Sequence, residues 1–265
     1  MRMMLKAAEF AKSHQWNEAA WLEDTYTRTK GVIAQATEDL CPGSPEKVAS
    51  SIAPYMDVPV IPLPPQRRSE FVAHLTAVVE KSFADAPFDG PPPEPPEKDK
   101  SYEQRLAEEA PEPKILDTAC IACQGDCCTQ GNTNNAFLKE ELINYIRWRH
   151  PEMEATDIID MYMSYLPEKS VRDSCAYHGD KGCTLHRPIR ANICNSFQCG
   201  FRKRLAKTYD QKPGHGAVVA GISKDHVEHP EAGADYLRVV SMSEQGDVHI
   251  HSELKLPEIK QSDAK

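Results

Sequence analysis

Eight of the nine cysteines in this chain fall between residues 120 and 199, and this clustering constrains its fold more than any other feature. Thiols spaced so closely are typical of metal sites, and the alternative is that they pack as small apolar groups. Cys41 stands apart, before Pro42 and Gly43 at a predicted helix end. We predict that the clustered thiols ligate metal and that Cys41 does not. The predicted ligands are Cys120, Cys123, Cys127, Cys128, Cys175, Cys183, Cys194 and Cys199.

The first four thiols stand in the run Cys120-Ile-Ala-Cys123-Gln-Gly-Asp-Cys127-Cys128. A Cys-x2-Cys pair lets two thiolates reach one metal while the intervening amides turn towards the sulfurs, as in zinc and iron–sulfur sites. Gly125 supplies the backbone freedom for a tight turn between Cys123 and Cys127. Because Cys127 and Cys128 are adjacent, their side chains diverge and would strain a single tetrahedral zinc site.

The total of eight clustered thiols leaves two metal arrangements open. Two four-cysteine centres, such as 4Fe–4S clusters, require that number. The same number is also compatible with one cluster and several additional thiols near it. A radical S-adenosylmethionine site is excluded, because those enzymes use Cys-x3-Cys-x2-Cys and this chain has the reverse order. We predict an iron–sulfur cluster as the cofactor, with zinc as the alternative.

The composition and the N-terminal sequence predict a cytoplasmic protein. No apolar run approaches the roughly 20 residues needed to cross a bilayer. Lys6, Glu9 and Lys12 interrupt the apolar stretch that a signal peptide would need. A reducing compartment disfavours disulfides and favours metal or redox chemistry. The formal net charge of −9 argues against a nucleic-acid partner, so the expected partner is a protein or a small molecule. No membrane association is expected.

Proline content suggests how the chain is divided. The 21 prolines outnumber the 13 glycines, and the segment PFDGPPPEPPEKDK has the extended backbone of a linker. A polyproline ligand for a partner domain is the alternative. We predict a helical N-terminal region over 1–86, a Pro-rich linker over 87–100, a cysteine-cluster metal-binding domain over 101–210 and a C-terminal β-rich extension over 211–265.

Apolar periodicity predicts the elements within these regions. Strands are expected over 217–222, 236–242 and 248–254, the last two joined as a hairpin through Glu244-Gln245-Gly246-Asp247. The fold class is therefore α+β: mainly helical, with an irregular metal-stabilised cysteine-rich core and a short C-terminal β-hairpin. Helices are expected over 7–40, 68–83, 101–110, 137–150 and 155–165.

Histidines and a basic run are further candidates. His178 and His186 lie within the cysteine window and are candidate ligands, since imidazole suits iron and zinc, although a packed or surface histidine is commoner. The pairs His226/His229 and His249/His251 are interpreted as solvated surface groups. A basic run after Cys199 is interpreted as a solvated helical face, with attraction of an anion as the alternative. It comprises Arg202, Lys203, Arg204 and Lys207.

The order of these motifs resembles that of a known family. The pattern is Cys-x2-Cys-x3-Cys-Cys, then Gly182-Cys183-Thr184-Leu185-His186, then Arg190 and Cys194-x4-Cys199. It resembles the YkgJ-like cysteine-cluster family of zinc- or iron-chelating domains over residues 117–203. His186 stands where that family has Tyr, and Arg190-Ala191 where it has Arg-Pro. The resemblance implies an iron–sulfur or zinc protein, with a flagellin lysine N-methylase among similar proteins, and it implies no substrate.

Three functional classes follow. The first is an iron–sulfur-cluster-binding protein, either an electron carrier or a cluster-dependent oxidoreductase or methyl-transfer type enzyme. The alternative is a structural zinc-binding adaptor protein with a closed four-thiolate site, and the third class is a thiol redox sensor. The chain has no P-loop, Gly-x-Gly-x-x-Gly element, Gly-x-Ser-x-Gly elbow or His-Glu-x-x-His run. The sequence therefore does not decide whether the protein is an enzyme, and it predicts no catalytic residue.

Overall fold

The structure is a computed structural model that describes residues 23, 25–84, 113–223 and 237–256. None of the helices in these ranges is long and apolar enough to cross a membrane. Short 3-10 turns lie at Pro45–Lys47, Lys114–Leu116, Asp126–Thr129, Asn135–Phe137 and Arg187–Ile189. The α-helices of the described ranges are α1 (25–40), α2 (Pro65–Ala84), α3 (Asp117–Cys123), α4 (Gln130–Thr133), α5 (Glu140–Arg149), α6 (Ala155–Ser164), α7 (Asn192–Ser196) and α8 (Gly200–Gln211).

The strands of the described ranges form one four-stranded sheet and two two-stranded ladders. The strands are β1 (Ala49–Tyr55), β2 (Val60–Pro62), β3 (Lys169–Val171), β4 (His178–Gly179), β5 (Gly182–Cys183), β6 (Ala217–Ser223), β7 (Leu237–Met242) and β8 (Val248–Ile250). The sheet has the order β1-β6-β7-β8, with β1 parallel to β6 and the other pairs antiparallel. The ladders pair β2 with β3 and β4 with β5, both antiparallel.

The described chain divides into two compact units, each assembled from separate stretches of sequence. The described residues of the first unit lie within Met1–Asp57, Ile115–Cys123 and Gly200–Lys265. Those of the second unit lie within Val58–Lys114 and Gln124–Cys199. Cys120 and Cys123 therefore belong to the first unit, and the other six predicted ligands belong to the second.

The first unit is built on the four-stranded sheet, which carries helices on both faces. Residues of α1 pack on one face in an apolar cluster that includes Val218 and Val239. Residues of α3 and α8 pack on the opposite face with Val219 and Val240. Since successive side chains of a strand point to opposite faces, β6 is buried along its whole length. Its sequence, AVVAGIS, is accordingly a nearly continuous apolar run.

The second unit has an apolar core between α2, α5 and α6. Phe71 of α2, Ile143 of α5 and Tyr162 of α6 are completely buried in it. Tyr177 is also completely buried, and its ring meets the Phe71 ring edge-on with the centroids 5.3 Å apart. This core anchors the segment around Tyr177, which carries Cys175 and His178.

The predicted α+β class is confirmed, and so are most of the predicted elements that fall on described residues. Helices α2, α5 and α6 correspond to those predicted over 68–83, 137–150 and 155–165, and α1 ends before Cys41. The predicted hairpin exists as β7 and β8, within the larger sheet. The linker predicted over 87–100 and the helix over 101–110 lie outside the described residues.

The sequence does not predict β1. Its residues ASSIAPY mix serines with a proline and show no alternation, because most of the strand is buried. Pro54 is compatible with the strand because β1 is the first strand of the sheet order and pairs with β6 alone among the described strands. The short pairing of β2 with β3 is likewise unmarked in the sequence, where 58–66 reads as an irregular proline-rich stretch.

Candidate metal centre

Helix α3 carries the first two predicted ligands, Cys120 and Cys123, both half-buried. Gly221 of β6 lets this helix approach the sheet closely within the first unit. A Cβ at Gly221 would lie 2.5 Å from the carbonyl oxygen of Ala122, too close for any other residue. The position of the two thiols over the sheet therefore depends on the missing side chain at Gly221.

The C-terminal end of α3 is held by two hydrogen bonds from neighbouring segments of the first unit. Nε of Arg238 donates to the carbonyl oxygen of Ile121 at 3.0 Å. The backbone amide of Met56 donates to the carbonyl oxygen of Cys123 at 3.2 Å. Carbonyls in the last turn of a helix lack intrahelical partners, so these bonds satisfy groups that would otherwise need water.

Cys120 also accepts a hydrogen bond from Arg202 of α8. Nη1 of Arg202 lies 3.4 Å from Cys120 Sγ and 2.9 Å from Asp117 Oδ1. The Arg202 side chain is only 8% exposed. The interpretation of Arg202 as part of a solvated basic face is therefore wrong, because Asp117 neutralises its charge inside the first unit. The same guanidinium group therefore contacts both a carboxylate and a predicted ligand sulfur.

The second stretch of the second unit begins at Gln124 with a left-handed turn, just before Cys127 and Cys128. Gln124 and Gly125 have φ values of 56° and 59°. Oε1 of Gln124 accepts a hydrogen bond from the Val58 amide at 2.9 Å, which holds this non-glycine residue in its unusual conformation. The Cys128 amide donates to the Gly125 carbonyl at 2.7 Å. The tight turn predicted at Gly125 is thus confirmed, and it sets Cys127 and Cys128 on a 3-10 turn.

Gly125 is needed for space as well as for its backbone conformation. A Cβ there would lie 2.8 Å from His178 Cε1, 3.1 Å from His178 Nε2 and 3.0 Å from Cys128 Sγ. His178 is only 3% exposed, and its Nδ1 lies 2.8 Å from Ser174 Oγ. The bond to Ser174 leaves Nε2 as the ring nitrogen on the Gly125 and Cys128 side. His178 is therefore a candidate ligand held in one orientation by a hydroxyl group.

Cys175 lies beside the same turn. Its amide donates to the Cys128 carbonyl at 3.2 Å. A Cβ on Gly131 of α4 would come 2.9 Å from Cys175 Cβ and 3.2 Å from its sulfur. The nearby Tyr177 hydroxyl donates to the Tyr162 carbonyl at 3.0 Å inside the core of the second unit. The buried Tyr177 thus fixes Cys175 against the backbone of the segment that follows Cys128.

Cys183 is connected to this region by the ladder of β4 and β5. The register pairs His178 with Cys183. The amide and the hydroxyl of Thr184 donate to the Tyr177 carbonyl at 2.9 Å and 3.1 Å, which closes the ladder. Directly opposite residues of an antiparallel pair project to the same face. The side chains of Cys183 and His178 therefore share one face of the ladder.

The loop that precedes Cys194 is closed by polar side chains. Nε of Arg190 donates to the Leu185 carbonyl at 2.7 Å. Nδ2 of Asn195 donates to the Arg187 carbonyl at 2.8 Å. These bonds give a stretch with little regular structure a defined path, so the position of Cys194 depends on Arg190 and Asn195.

The thiols of the second unit influence one another's ionisation. Burial raises the pKa of Cys175 to about 12, with Cys183 and Cys194 adding to the rise and Arg67 opposing it. Burial also raises the pKa of Cys194 to about 11, although part of its surface is exposed. Cys183 and Cys127 add to that rise. We call Cys127, Cys175, Cys183 and Cys194 the four-thiol group. Without a bound cation the raised pKa keeps Cys175 and Cys194 protonated, and a metal ion would displace those two protons.

The structure places Cys120 and Cys123 in the first unit and the other six predicted ligands in the second, and in the described part of the chain no three of these eight sulfurs lie within 4.8 Å of one another. All nine cysteines lie on described residues, and none forms a disulfide. Cys199 is half-buried before α8, and Cys41 packs at the edge of the apolar cluster on the α1 face. His249, His251 and Glu253 do meet the 4.8 Å spacing.

His186, the other histidine of the cysteine window, differs from His178 in its surroundings. It is exposed, and its ring meets the Tyr165 ring edge-on with the centroids 5.1 Å apart. Its position matches that of an aromatic packing residue on the surface of the second unit.

No family model, characterised protein or solved structure matches this chain. The resemblance of the cysteine motifs to the YkgJ-like family therefore stays a prediction.

Sequence reasoning misses the roles of Arg202 and Ser174. Asp117 and Arg202 are 85 residues apart, so no local pattern joins them. Ser174 and His178 are only four residues apart, so the sequence could have suggested that the Ser174 hydroxyl supports the imidazole. The pair His249 and His251, interpreted from the sequence as surface groups, lies with Glu253 in a group whose ligand atoms are all within 4.8 Å of one another, and His251 is buried.

Proposed function

We propose that this protein binds an iron–sulfur cluster through cysteine thiolates and acts as a cluster-dependent redox protein. The observation that carries the proposal is the four-thiol group, whose members come from four separate segments of the second unit. Beyond the effect of burial, Cys183 and Cys194 add to the rise in the pKa of Cys175, and Cys183 and Cys127 add to that of Cys194. Cys128 and Cys175 are joined at the backbone within the same region. Four thiolates are the ligands that a 4Fe–4S cluster takes.

The backbone next to these thiols fits a thiolate-ligated group. Gly125 and Gly131 leave bare backbone against Cys128 and Cys175, where a Cβ would fall within about 3 Å of a sulfur or its methylene. Bare backbone allows amide groups to approach the sulfurs of a bound metal group. The donor set consists of thiols with one imidazole nearby. Iron and zinc bind such donors well, whereas magnesium and calcium prefer oxygen ligands.

Positive charge is placed where the thiolates of a cluster would need it. The guanidinium groups of Arg67 and Arg190 oppose the pKa rises of Cys175 and Cys194. Nη1 of Arg67 donates to Asn135 Oδ1 at 2.9 Å, which holds its charge in place. In the first unit Nη1 of Arg202 donates a hydrogen bond to Cys120 Sγ at 3.4 Å. Hydrogen bonds and charges around the sulfurs tune the potential of an iron–sulfur cluster.

A bound cluster would supply one-electron transfer, and the residues of this chain would hold it and set its potential. In this proposal the thiolates ligate the cluster, and Arg67 and Arg190 lower the free-energy cost of the charges on Cys175 and Cys194. Cys120 and Cys123 stay predicted ligands, positioned by α3 and supported by Arg202. A methyl-transfer activity would follow the resemblance to the YkgJ-like family, and no residue of the described chain assigns its substrate.

Structural zinc is the second candidate, and His178 is the observation that favours it. Its buried imidazole presents Nε2 towards the backbone position that Cys128 Sγ also borders. Three thiolates and one imidazole form a common closed zinc site. If Nε2 binds the metal, Nδ1 carries the proton and donates to Ser174 Oγ, which is the support that metal-bound histidines usually have.

The deciding experiment is anaerobic purification followed by absorption spectroscopy and analysis of iron, sulfide and zinc in one sample. We expect a brown protein with broad absorption near 400 nm, about four iron and four sulfide per cluster, and bleaching by dithionite. Zinc near stoichiometry in a colourless protein would replace the redox proposal with the structural one. Metal-free protein with reversible disulfides would overturn both and indicate a thiol sensor.

A further inference from the structure

The edge of the four-stranded sheet carries a histidine pair outside the cysteine region. His249 lies on β8, and its partner in the register across the strands is Ser241 of β7. His251 follows two residues later, so the strand period places both imidazoles on the same side. Their ring centroids are 4.4 Å apart and the rings are nearly perpendicular, at 87°.

Glu253 lies two residues after His251, in the turn that follows β8. Its Oε1 lies 3.1 Å from Nδ1 of His251. One ligand atom each from His249, His251 and Glu253 all lie within 4.8 Å of one another. Two nitrogen or oxygen ligands that each lie 2.0–2.1 Å from a tetrahedral zinc ion are about 3.4 Å apart. The separation of Nδ1 from Oε1 is therefore close to that of two ligands on one ion.

Buried supports fix the orientation of the central histidine. His251 is only 5% exposed, and its Nε2 lies 2.9 Å from Oγ of the buried Ser241. The amide of His251 donates to the Val239 carbonyl at 2.9 Å. The Ser241 contact occupies the inner ring nitrogen and directs Nδ1 outwards, to Glu253. If Nδ1 binds a metal, Nε2 carries the proton and donates to Ser241, as metal-bound histidines usually do to a second group.

The segment that carries His249, His251 and Glu253 is anchored within the first unit. Leu254, directly after Glu253, is buried in the apolar cluster that also contains Val239. The Ser252 amide donates to the Ile250 carbonyl at 3.1 Å, which turns the chain so that Glu253 faces His251. His249 and Glu253 are exposed, so water can complete the coordination of an ion there. Sites built on rigid elements hold their ligands more precisely than sites on loops.

We infer that His249, His251 and Glu253 form a site for a divalent transition-metal ion of the zinc, nickel or copper type. Two imidazoles and one carboxylate suit these ions, whereas calcium and magnesium prefer all-oxygen ligands. The site is separate in sequence from the predicted cysteine ligands and needs none of them. His150 and Glu152 offer a natural comparison, because they repeat the His-x-Glu spacing at 3.4 Å without a second imidazole, and both are exposed.

The test is a titration of the full chain, with its cysteine centre as purified, followed through ring-labelled histidines by NMR. Zn²⁺ is added in steps up to one equivalent per protein chain, beyond any metal already bound after purification. Mg²⁺ is added to a parallel sample in the same way. Because the chain has ten histidines, His249→Ala and His251→Asn spectra identify the two signals of interest. We expect the ring signals of His249 and His251 to shift in parallel as Zn²⁺ is added and to stay unchanged as Mg²⁺ is added.

Variants give the inference its quantitative form. Glu253→Gln and His249→Ala, both at exposed positions, should weaken Zn²⁺ binding at this site at least about tenfold, and Ser241→Ala about tenfold through its effect on His251. His150→Ala is the matched control and should leave the affinity unchanged. Ring signals of His249 and His251 that do not respond to Zn²⁺ would overturn the inference. So would an unchanged affinity in both Glu253→Gln and His249→Ala.

Discussion

A single nitrogen of Arg202, Nη1, donates to both the Asp117 carboxylate at 2.9 Å and the Cys120 sulfur at 3.4 Å. The Arg202 side chain is almost fully buried, whereas that of Asp117 is 27% exposed. The ion pair therefore neutralises a charge inside the first unit while it directs an N–H group at a predicted metal ligand. Stability and thiolate chemistry depend here on the same side chain.

Replacing Arg202 with methionine should separate this role from the general charge of the basic run. The change leaves Asp117 without its partner and Cys120 without its donor, so the free energy of unfolding should fall by about 2–4 kcal/mol. Urea unfolding measures it. Lys203→Met, at an exposed neighbouring position of α8, is the control and should change stability by less than about 0.5 kcal/mol. Equal effects of the two substitutions would contradict a specific role for Arg202.

The predicted helices succeed where apolar residues recur on one face. In α2, Phe71, Leu75 and Val79 recur every four residues, and all three are buried in the second unit. The same rule fails for β1, whose residues are mostly buried and so show no alternation. Because β1 and β6 are parallel and far apart in sequence, their pairing is fixed by tertiary packing rather than by any turn.

The sequence is enough to propose the cysteine ligands, and it does not reveal the residues that support them. The cysteines are visible because their spacing alone indicates metal. Arg202 and Gly221 act through contacts with residues that the chain brings close only after folding. Gly221 illustrates the difference, since its role is to leave room for the Ala122 carbonyl of α3. Single glycines in strands have several causes, so sequence gives no reason to connect this one with a cysteine helix.

Removal of the α3 thiols should test the predicted ligand set directly. The double variant Cys120→Ser, Cys123→Ser keeps the size of both side chains but removes the soft ligands, so bound metal should fall well below that of the native protein. Metal analysis of the purified variant gives the result. Cys41→Ser is the control, since Cys41 packs against apolar residues on the α1 face. Full metal content in the double variant would exclude Cys120 and Cys123 as ligands.

Adding a methyl group at Gly125 should damage the site more than the same change at another left-handed glycine. Gly125→Ala brings a Cβ to 2.8 Å from the His178 ring and 3.0 Å from the Cys128 sulfur. Gly43 has a φ of 74° but nothing within 4 Å, so Gly43→Ala carries backbone strain alone. Both should lose about 1 kcal/mol of stability from strain. Gly125→Ala should also lose metal, and equal metal content in the two variants would argue against a site at Cys128 and His178.

The raised pKa of Cys175 gives the metal-free protein a defined dependence on pH. Its folded-state pKa of about 12 exceeds the ordinary value of 9.0. Above about pH 9 the unfolded chain therefore releases this proton while the folded chain retains it, and stability falls as pH rises. The contribution is complete below about pH 9 and is lost progressively towards pH 12, by at most about 1.4 kcal/mol per pH unit.

The measurement compares urea unfolding of chelator-treated protein at about pH 8 and about pH 10.5 with that of Cys175→Ala. Other groups also titrate in this range, so the difference between the two proteins isolates the Cys175 contribution. We expect the native sequence to lose more stability than the variant. In the metal-loaded protein the thiolate is already formed and bound, so the same difference should vanish. If it persists with metal present, Cys175 remains protonated there and is not a ligand.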